Sequence, residues 1–129
     1  MELEEDLREK YGFLGVDFRA GNVDDAEGQI ELCGYPGDKD PHTMWSASKD
    51  FESLPQFLGY KIPTFRGQSG SPIIKRVEGR EYVIGVHIGS NAKETKNIAI
   101  RLTPDKREVV HGWTMKTIGY LNLGKKILI

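Results

Sequence analysis

The chain has 129 residues, of which 38% are hydrophobic and 29% charged, a length and composition that suit one soluble domain with a single core. Its formal net charge of −1 at pH 7 provides no basic surface for a phosphate backbone, so we expect no nucleic-acid partner. No apolar run approaches the roughly 20 residues of a membrane helix, and the single cysteine, Cys33, excludes an internal disulfide and a thiol-rich zinc site.

The first 28 residues are predicted to form an acidic lead-in. The opening stretch "MELEEDLREK" places Leu3 and Leu7 four residues apart, a narrow apolar stripe that suits either a short helix or a solvated segment. It lacks the cationic and then apolar layout of a signal peptide, so we expect no secretory signal in this chain. Three glycines, at positions 12, 15 and 21, follow it and interrupt any longer helix.

Six short runs of β-type residues follow, each bounded by proline, glycine or other turn residues. The fourth and fifth flank "EGR", which predicts a hairpin around a glycine-containing turn. The runs cover residues 29–35, 42–48, 56–62, 71–77, 81–89 and 97–103. Short strands separated by turns predict an all-β fold, either an antiparallel sandwich or a small closed barrel.

The last predicted element is a helix of about three turns. Thr103 can cap it, Pro104 suits its first position, and Asp105 lies favourably at the positive end of the helix dipole. Its apolar residues share one face, so we expect Trp113 to point inward. The predicted organisation is therefore a lead-in at 1–28, an all-β domain with its terminal helix at 29–117, and a tail at 118–129.

The segment "GQSGSP", residues 67–72, is crowded with small residues. Small residues are common in turns, so one interpretation is a tight loop and nothing more. The other is a nucleophile: a reactive serine needs its hydroxyl on a turn whose backbone N–H groups face the developing negative charge. Ser69 would then be the nucleophile, with the amides of Gly67 and Ser69 as the oxyanion hole. One such donor lowers the reaction barrier by about 3 kcal/mol.

This segment resembles the active-serine motif of the chymotrypsin-like serine proteases, specifically the glutamyl endopeptidase branch. Further matches are "CGYPGDK" (33–39) followed by "TMW" (43–45), "VIGVHIGS" (83–90), and "NIAIRLTPD" (97–105) followed by a helix. The resemblance spans roughly residues 29–117, so that residues 1–28 would be the acidic lead-in and the inter-barrel segment. It implies an all-β fold, a six-stranded antiparallel Greek-key barrel with a C-terminal helix, equivalent to the second (C-terminal) barrel of these two-barrel enzymes.

The resemblance also implies a substrate pocket. Thr64 and His87 fall on the family positions that recognise a glutamate side chain, and Ile88 and Gly89 on the strand that pairs with the substrate. A threonine hydroxyl and an imidazolium can both donate to a carboxylate. Pro63 stands where an aspartate would imply basic substrates. No metal or organic cofactor is needed. Without the motif, His87 would be interpreted as a satisfied histidine near a strand end and Thr64 as an ordinary β residue.

A serine protease also needs a histidine base and an acid that orients it, and the sequence shows neither. His42 is the one histidine before Ser69, and the resemblance places it in a loop away from the nucleophile. Asp6 and Asp17 lie too near the first matched strand to be assigned as the acid. We therefore expect the chain alone to be almost inactive.

The sequence thus predicts the nucleophile-bearing half of a serine endopeptidase that prefers glutamate before the scissile bond, either as a fragment or as a free-standing remnant. The alternatives are a catalytically silent peptide-binding or interaction module, and a structural β-domain whose serine turn is only a turn. The expected partners are a peptide or protein substrate and an N-terminal barrel, or a partner chain, that covers an exposed apolar face. We expect no membrane partner. The compartment stays open, and the resemblance is compatible with a secreted parent.

Overall fold

The computed structural model describes residues 8–12, 14–19, 28–91, 93 and 95–122. The chain divides into two compact units. One unit is Gly15–Thr103, and the other consists of residues 1–14 and 104–129. The elements in chain order are α1 (Arg8–Tyr11), β1 (Gly15–Val16), β2 (Gln29–Gly34), β3 (Trp45–Ser53), β4 (Phe57–Tyr60), β5 (Pro72–Val77), β6 (Arg80–Ser90), β7 (Asn97–Arg101) and α2 (Pro104–Asn122).

Strands β2 to β7 close into a barrel in the order β2-β3-β4-β7-β6-β5. Each of the six neighbouring pairs is antiparallel. The two-residue strand β1 adds to β6 in parallel, opposite Tyr82 and Val83. The predicted all-β, six-stranded antiparallel Greek-key barrel is therefore confirmed.

Alternation along the strands fills the barrel with aliphatic side chains. In β2, for example, Ile30 and Leu32 are buried while Glu31 between them is more exposed, which is the two-residue period of a half-buried strand. The largest fully buried side chains are Ile30, Leu32, Leu58, Ile62, Ile73 and Ile84. Burial of one such side chain contributes about 1.5–3 kcal/mol, so the barrel has a core of its own.

The predicted strands agree with the observed ones except in the second run. That strand is predicted at 42–48, whereas β3 begins at Trp45 and continues to Ser53. His42 has a φ of 66°, and the Thr43 N–H donates to the Asp40 carbonyl at 3.2 Å, so residues 40–43 form a turn instead of a strand.

The predicted hairpin around "EGR" is present between β5 and β6. Glu78 and Gly79 form its two-residue turn, with φ values of 51° and 77°. Two positive φ values in succession are typical of the type I′ turn, whose twist matches that of the strands it joins.

The C-terminal helix is longer than predicted. α2 runs from Pro104 to Asn122, so Gly119 lies inside it, which costs a helix only about 1 kcal/mol. Trp113 is 63% exposed, so the expectation that it faces inward is wrong. Within the described part of the chain, neither helix has the length and apolar character that crossing a membrane requires.

Candidate functional site

Ser69 lies in the connection between β4 and β5, residues 61–71. These two strands are separated by two others in either direction around the barrel, so the connection joins opposite sides of it. The chain forms consecutive turns here instead of a strand. Ser69 therefore stands on irregular backbone carried by a rigid barrel, where functional residues are often found.

Two glycines shape the backbone on either side of Ser69. Gly67 has a φ of 99° and Gly70 a φ of 89°, in the left-handed region that side chains disfavour. A Cβ at Gly67 would also lie 2.7 Å from the Tyr35 carbonyl oxygen. This explains physically why the segment is rich in small residues: the close approach between the serine loop and the end of β2 requires a glycine.

The side chain of Ser69 is exposed. Its Oγ donates to the Ile88 carbonyl at 3.5 Å, a length at which a hydrogen bond contributes little. The hydroxyl is therefore accessible and weakly held, as a nucleophile requires.

The loop is anchored to the barrel on both sides of Ser69. On one side, the Gly37 N–H donates to the Arg66 carbonyl at 2.7 Å. On the other, the Gly70 N–H donates to the His87 carbonyl at 2.8 Å, and the His87 N–H donates to the Ser71 carbonyl at 2.9 Å. The last two bonds join the residues that follow Ser69 to the strand that carries His87.

Gln68 stabilises the turn from within. Its buried Oε1 accepts from the Phe65 N–H at 2.8 Å, and its backbone bridges the Phe65 carbonyl (3.3 Å) and the Ser71 N–H (3.0 Å). Gln68 is not among the residues predicted from the sequence. Its position inside the serine motif was the available signal, since a buried amide can replace a missing backbone partner in a turn.

The proposed oxyanion donors are both in this loop. Among the described residues, no acceptor takes a hydrogen bond from the backbone N–H of Gly67 or of Ser69. Unused amides are what an oxyanion hole requires. Their assignment to that role stays a prediction.

His87 lies on β6 and is 2% exposed. Its Nδ1 is 2.5 Å from the hydroxyl oxygen of Tyr60, which is equally buried. Burial lowers the pKa of the His87 imidazole below its ordinary value and raises that of the Tyr60 phenol. The sequence suggests an imidazolium at this position, whereas the environment favours the neutral ring.

Thr64 is half-buried and donates through Oγ1 to Oδ1 of Asn97 at 3.0 Å. The Asn97 amide donates in turn to the Ile62 carbonyl at 2.5 Å. Asn97 is paired across the strands with Tyr60, the partner of His87. Thr64 and His87 are thus linked through two residues that face each other on adjacent strands, and the Thr64 proton is used within the protein.

Ile88 and Gly89 occupy the irregular part of β6. The register against β7 shifts between His87 and Gly89, and Gly89 has a φ of 148°. The side chain of Ile88 is exposed while its carbonyl accepts from Ser69. The bulge therefore brings the backbone after His87 next to the serine, and the role of both residues in substrate pairing stays a prediction.

The candidate base and acids do not contact Ser69 in the described part of the chain. His42 is exposed and lies in the turn before β3. Asp17 accepts from the Arg19 backbone N–H at 2.7 Å, and Asp6 lies outside the described residues. No cluster of three or more potential metal ligands occurs among the described residues either.

Two further residues of the site, Tyr60 and Asn97, were not predicted from the sequence. Tyr60 and His87 are 27 positions apart on strands that are not neighbours, and Thr64 and Asn97 are 33 apart. No spacing rule relates residues so distant. The only available signal was that polar residues at inward positions of a barrel require partners.

No protein-family model matches the chain. The glutamyl endopeptidase of Bacillus licheniformis is 27% identical to it over 120 residues, which cover 88% of this chain and 37% of that protein. The glutamyl endopeptidase of Staphylococcus epidermidis is 43% identical over 61 residues, covering 46% of this chain and 21% of that protein. That of Staphylococcus aureus is 36% identical over 66 residues, covering 50% and 19%.

Among solved structures, a Glu endopeptidase in complex with MPD matches the fold with a TM-score of 0.71 at 23% identity, over 84% of this chain and 50% of that one. This chain thus spans between 19% and 50% of the length of these proteins. Its sequence and fold resemble the C-terminal barrel of the trypsin-like glutamyl endopeptidases.

Proposed function

We propose that this chain is the nucleophile-bearing half of a serine endopeptidase that cleaves peptide bonds after glutamate. The observation that carries the proposal is the backbone connection between Ser69 and His87. The exposed hydroxyl and the buried imidazole lie on segments joined by two hydrogen bonds, Gly70 N–H to the His87 carbonyl and His87 N–H to the Ser71 carbonyl. The similarity to glutamyl endopeptidases supports the same assignment.

The chemistry begins at Ser69. Its Oγ attacks the carbonyl carbon of the scissile bond, and the unused amides of Gly67 and Ser69 stabilise the resulting oxyanion. The serine proton passes to a base and from there to the leaving amine; water then hydrolyses the acyl-enzyme by the reverse roles. We assign the base and its orienting acid to a part of the protein beyond this barrel.

The pocket selects the residue before the scissile bond. A carboxylate there would accept from His87 Nε2–H and from the Thr64 hydroxyl, whose present acceptor is Asn97 Oδ1. Hydrogen bonds to a charged acceptor are about twice as strong as neutral ones. An acidic side chain is therefore preferred to its amide.

We further propose that another barrel, or a partner chain, covers part of the apolar surface. Trp45 and Phe65 are about half exposed and line one open groove of about 190 Å³ together with Pro36 and Pro63. Exposed apolar patches mark interfaces in soluble proteins. The segments matched by this chain make up at most half of these relatives, so the relatives have additional sequence from which such a cover could come.

Labelling with a fluorophosphonate probe tests the nucleophile. We expect slow covalent labelling that Ser69→Ala abolishes and Ser71→Ala, a matched change two residues away in the same loop, leaves intact. Labelling that persists in Ser69→Ala would contradict the assignment. Absence of labelling combined with measurable affinity for a glutamate peptide would favour the silent peptide-binding module instead.

A further inference from the structure

We propose that Tyr60 is a positioning residue for substrate selection: its hydroxyl donates to Nδ1 of His87 and holds the imidazole in the neutral tautomer that presents Nε2–H to an acidic side chain. The assignment of the acidic side chain rests on the proposed function. The tautomer itself is a property of the free barrel and can be measured separately.

The geometry of the pair carries the first step. Tyr60 is on β4 and His87 on β6, and β7 lies between them in the barrel. The phenol therefore reaches His87 past an intervening strand, and its oxygen ends 2.5 Å from Nδ1. The ring centroids are 6.0 Å apart at an interplanar angle of 49°, so the contact is made through the polar atoms and not by ring stacking.

The direction of the hydrogen bond follows from counting protons. A phenol has one proton to donate, and within the described residues the only acceptor beside the Tyr60 hydroxyl is His87 Nδ1. If Nδ1 carried a hydrogen, the buried Tyr60 O–H would be left without an acceptor, which buried polar groups avoid. A lone pair on Nδ1 satisfies both atoms, and a neutral ring then carries its hydrogen on Nε2.

The opposite edge of the ring is free to bind a ligand. His87 Nε2 has no hydrogen-bond partner in the part of the chain that the structure describes, yet it is not one of the fully buried atoms left unsatisfied. The ring as a whole is 2% exposed, so a ligand that reaches Nε2 would meet a donor that no described residue occupies. An imidazole whose Nδ1 is held by Tyr60 and whose Nε2–H is unused is a preorganised donor.

This arrangement explains how a buried histidine can select an acid without carrying a charge. Charging the imidazole in this environment is unfavourable, and the Tyr60 contact leaves Nδ1 no hydrogen to donate. Nε2–H remains the single donor of the ring, aimed in one direction. The orientation of the second ring nitrogen is commonly set in this way by the partner of the first.

A purely structural hydrogen bond would make Tyr60 important for stability and nothing else. A structural role and a positioning role of Tyr60 make different predictions for the tautomer of His87 and for the preference between acidic and amide ligands. Replacing Tyr60 by Phe removes only the hydroxyl. The His87 imidazole then has no donor beside Nδ1 that would favour the tautomer with Nδ1 unprotonated. Tyr35→Phe is a matched control, because it removes the same hydroxyl from an exposed side chain outside the core of the barrel.

Long-range ¹H–¹⁵N correlation spectra of the ¹⁵N-labelled chain report which imidazole nitrogen carries the hydrogen. We expect the Nε2–H tautomer at His87 in the wild-type chain and in Tyr35→Phe, and a mixture or the Nδ1–H tautomer in Tyr60→Phe. Hydrogen on Nδ1 in the wild-type chain would overturn the proposal whether or not the variant folds. An unchanged tautomer in folded Tyr60→Phe would do the same.

The ligand arm uses two peptides that differ only in a C-terminal Glu or Gln. We expect the wild-type chain to prefer the Glu peptide by about tenfold and Tyr60→Phe to lose most of that preference, while Tyr35→Phe keeps it. An equal preference in the wild type and Tyr60→Phe overturns the positioning role. No preference in the wild type, with the expected tautomer present, overturns the carboxylate pocket of the proposed function and with it the role of Tyr60 in selection.

Discussion

The hydroxyl oxygen of Tyr60 lies 2.5 Å from Nδ1 of His87, and both side chains are 2% exposed. The pair joins two strands that are not neighbours in the barrel. It therefore links the interior of the barrel to β6, the strand whose backbone is hydrogen-bonded to the serine loop. As a result, the protonation state of the His87 imidazole affects both the stability of the barrel and the geometry of the site.

The burial of His87 predicts how stability depends on pH. Burial lowers the pKa of the folded imidazole below its ordinary value of 6.5, so the unfolded chain binds more protons than the folded one between these two values. As pH falls below about 6.5, the free energy of unfolding should decrease by up to about 1.4 kcal/mol per pH unit and level off below the folded pKa.

Urea unfolding at several pH values between about 7.5 and 5 measures this dependence. The His87→Gln variant has no titrating group at this position, so its free energy of unfolding should depend less on pH. The His42→Gln variant, which is changed in an exposed turn, should keep the pH dependence of the wild type. The same slope in His87→Gln and the wild type would show that His87 is not responsible.

Gly67→Ala tests the close approach between the serine loop and the end of β2. A side chain at a φ of 99° costs about 1–2 kcal/mol, and a Cβ 2.7 Å from the Tyr35 carbonyl oxygen adds a clash of similar size, about 1–3 kcal/mol. The variant should lose about 3 kcal/mol of unfolding free energy.

Gly79→Ala is the matched control for that change, because Gly79 has a φ of 77° but no atom within 4 Å of the position that a Cβ would occupy. Its cost should be limited to the backbone strain, about 1–2 kcal/mol. Equal losses in the two variants would contradict the packing argument.

Gln68→Met tests whether the buried amide holds the turn. The change keeps the length of the side chain but removes Oε1, leaving the Phe65 N–H without its acceptor at 2.8 Å. We expect a loss of about 1–3 kcal/mol together with slower labelling of Ser69. Gln29→Met, at an exposed position of β2, should change stability by no more than about 0.5 kcal/mol; a comparable loss there would remove the special role of Gln68.

The apolar groove predicts association of the isolated barrel. Purified chain should bind an apolar-surface dye or self-associate at high concentration, since Trp45 and Phe65 are about half exposed in one groove. The double change of both residues to Ser should reduce dye binding more than Phe57→Ser, which alters an exposed apolar residue outside the groove. A stable monomer without dye binding would contradict the need for a partner.

Much of the barrel could be predicted from local patterns. The alternation of Ile30 and Leu32 indicates one buried face, and the turn at Glu78 and Gly79 marks the hairpin between β5 and β6. Both features depend on residues near each other in the chain. The exception, the start of β3, depends on the positive φ of His42, which no pattern of β-type residues indicates.

The serine loop and the contacts of His87 and Thr64 were predictable to different degrees. The glycines around Ser69 indicate a turn because their backbone conformation is a local property. Tyr60 and Asn97 contact His87 and Thr64 only because barrel closure brings distant strands together. The charge state of His87 could not be predicted from the sequence for the same reason, because the burial of its side chain depends on the whole barrel.

Affinity for cleavage-product peptides is the sharpest test of a carboxylate site at His87 beside Ser69, because binding requires no catalytic base. In the proposed site, a peptide ending in Glu would place one carboxylate beside the amides of Gly67 and Ser69 and the other beside His87. Calorimetry should show it binding about tenfold more tightly than the same peptide ending in Gln, and NMR spectra should show backbone amide shifts at Gly67 and Ser69. Equal affinities for the two peptides, or shifts confined to another face of the barrel, would contradict the account.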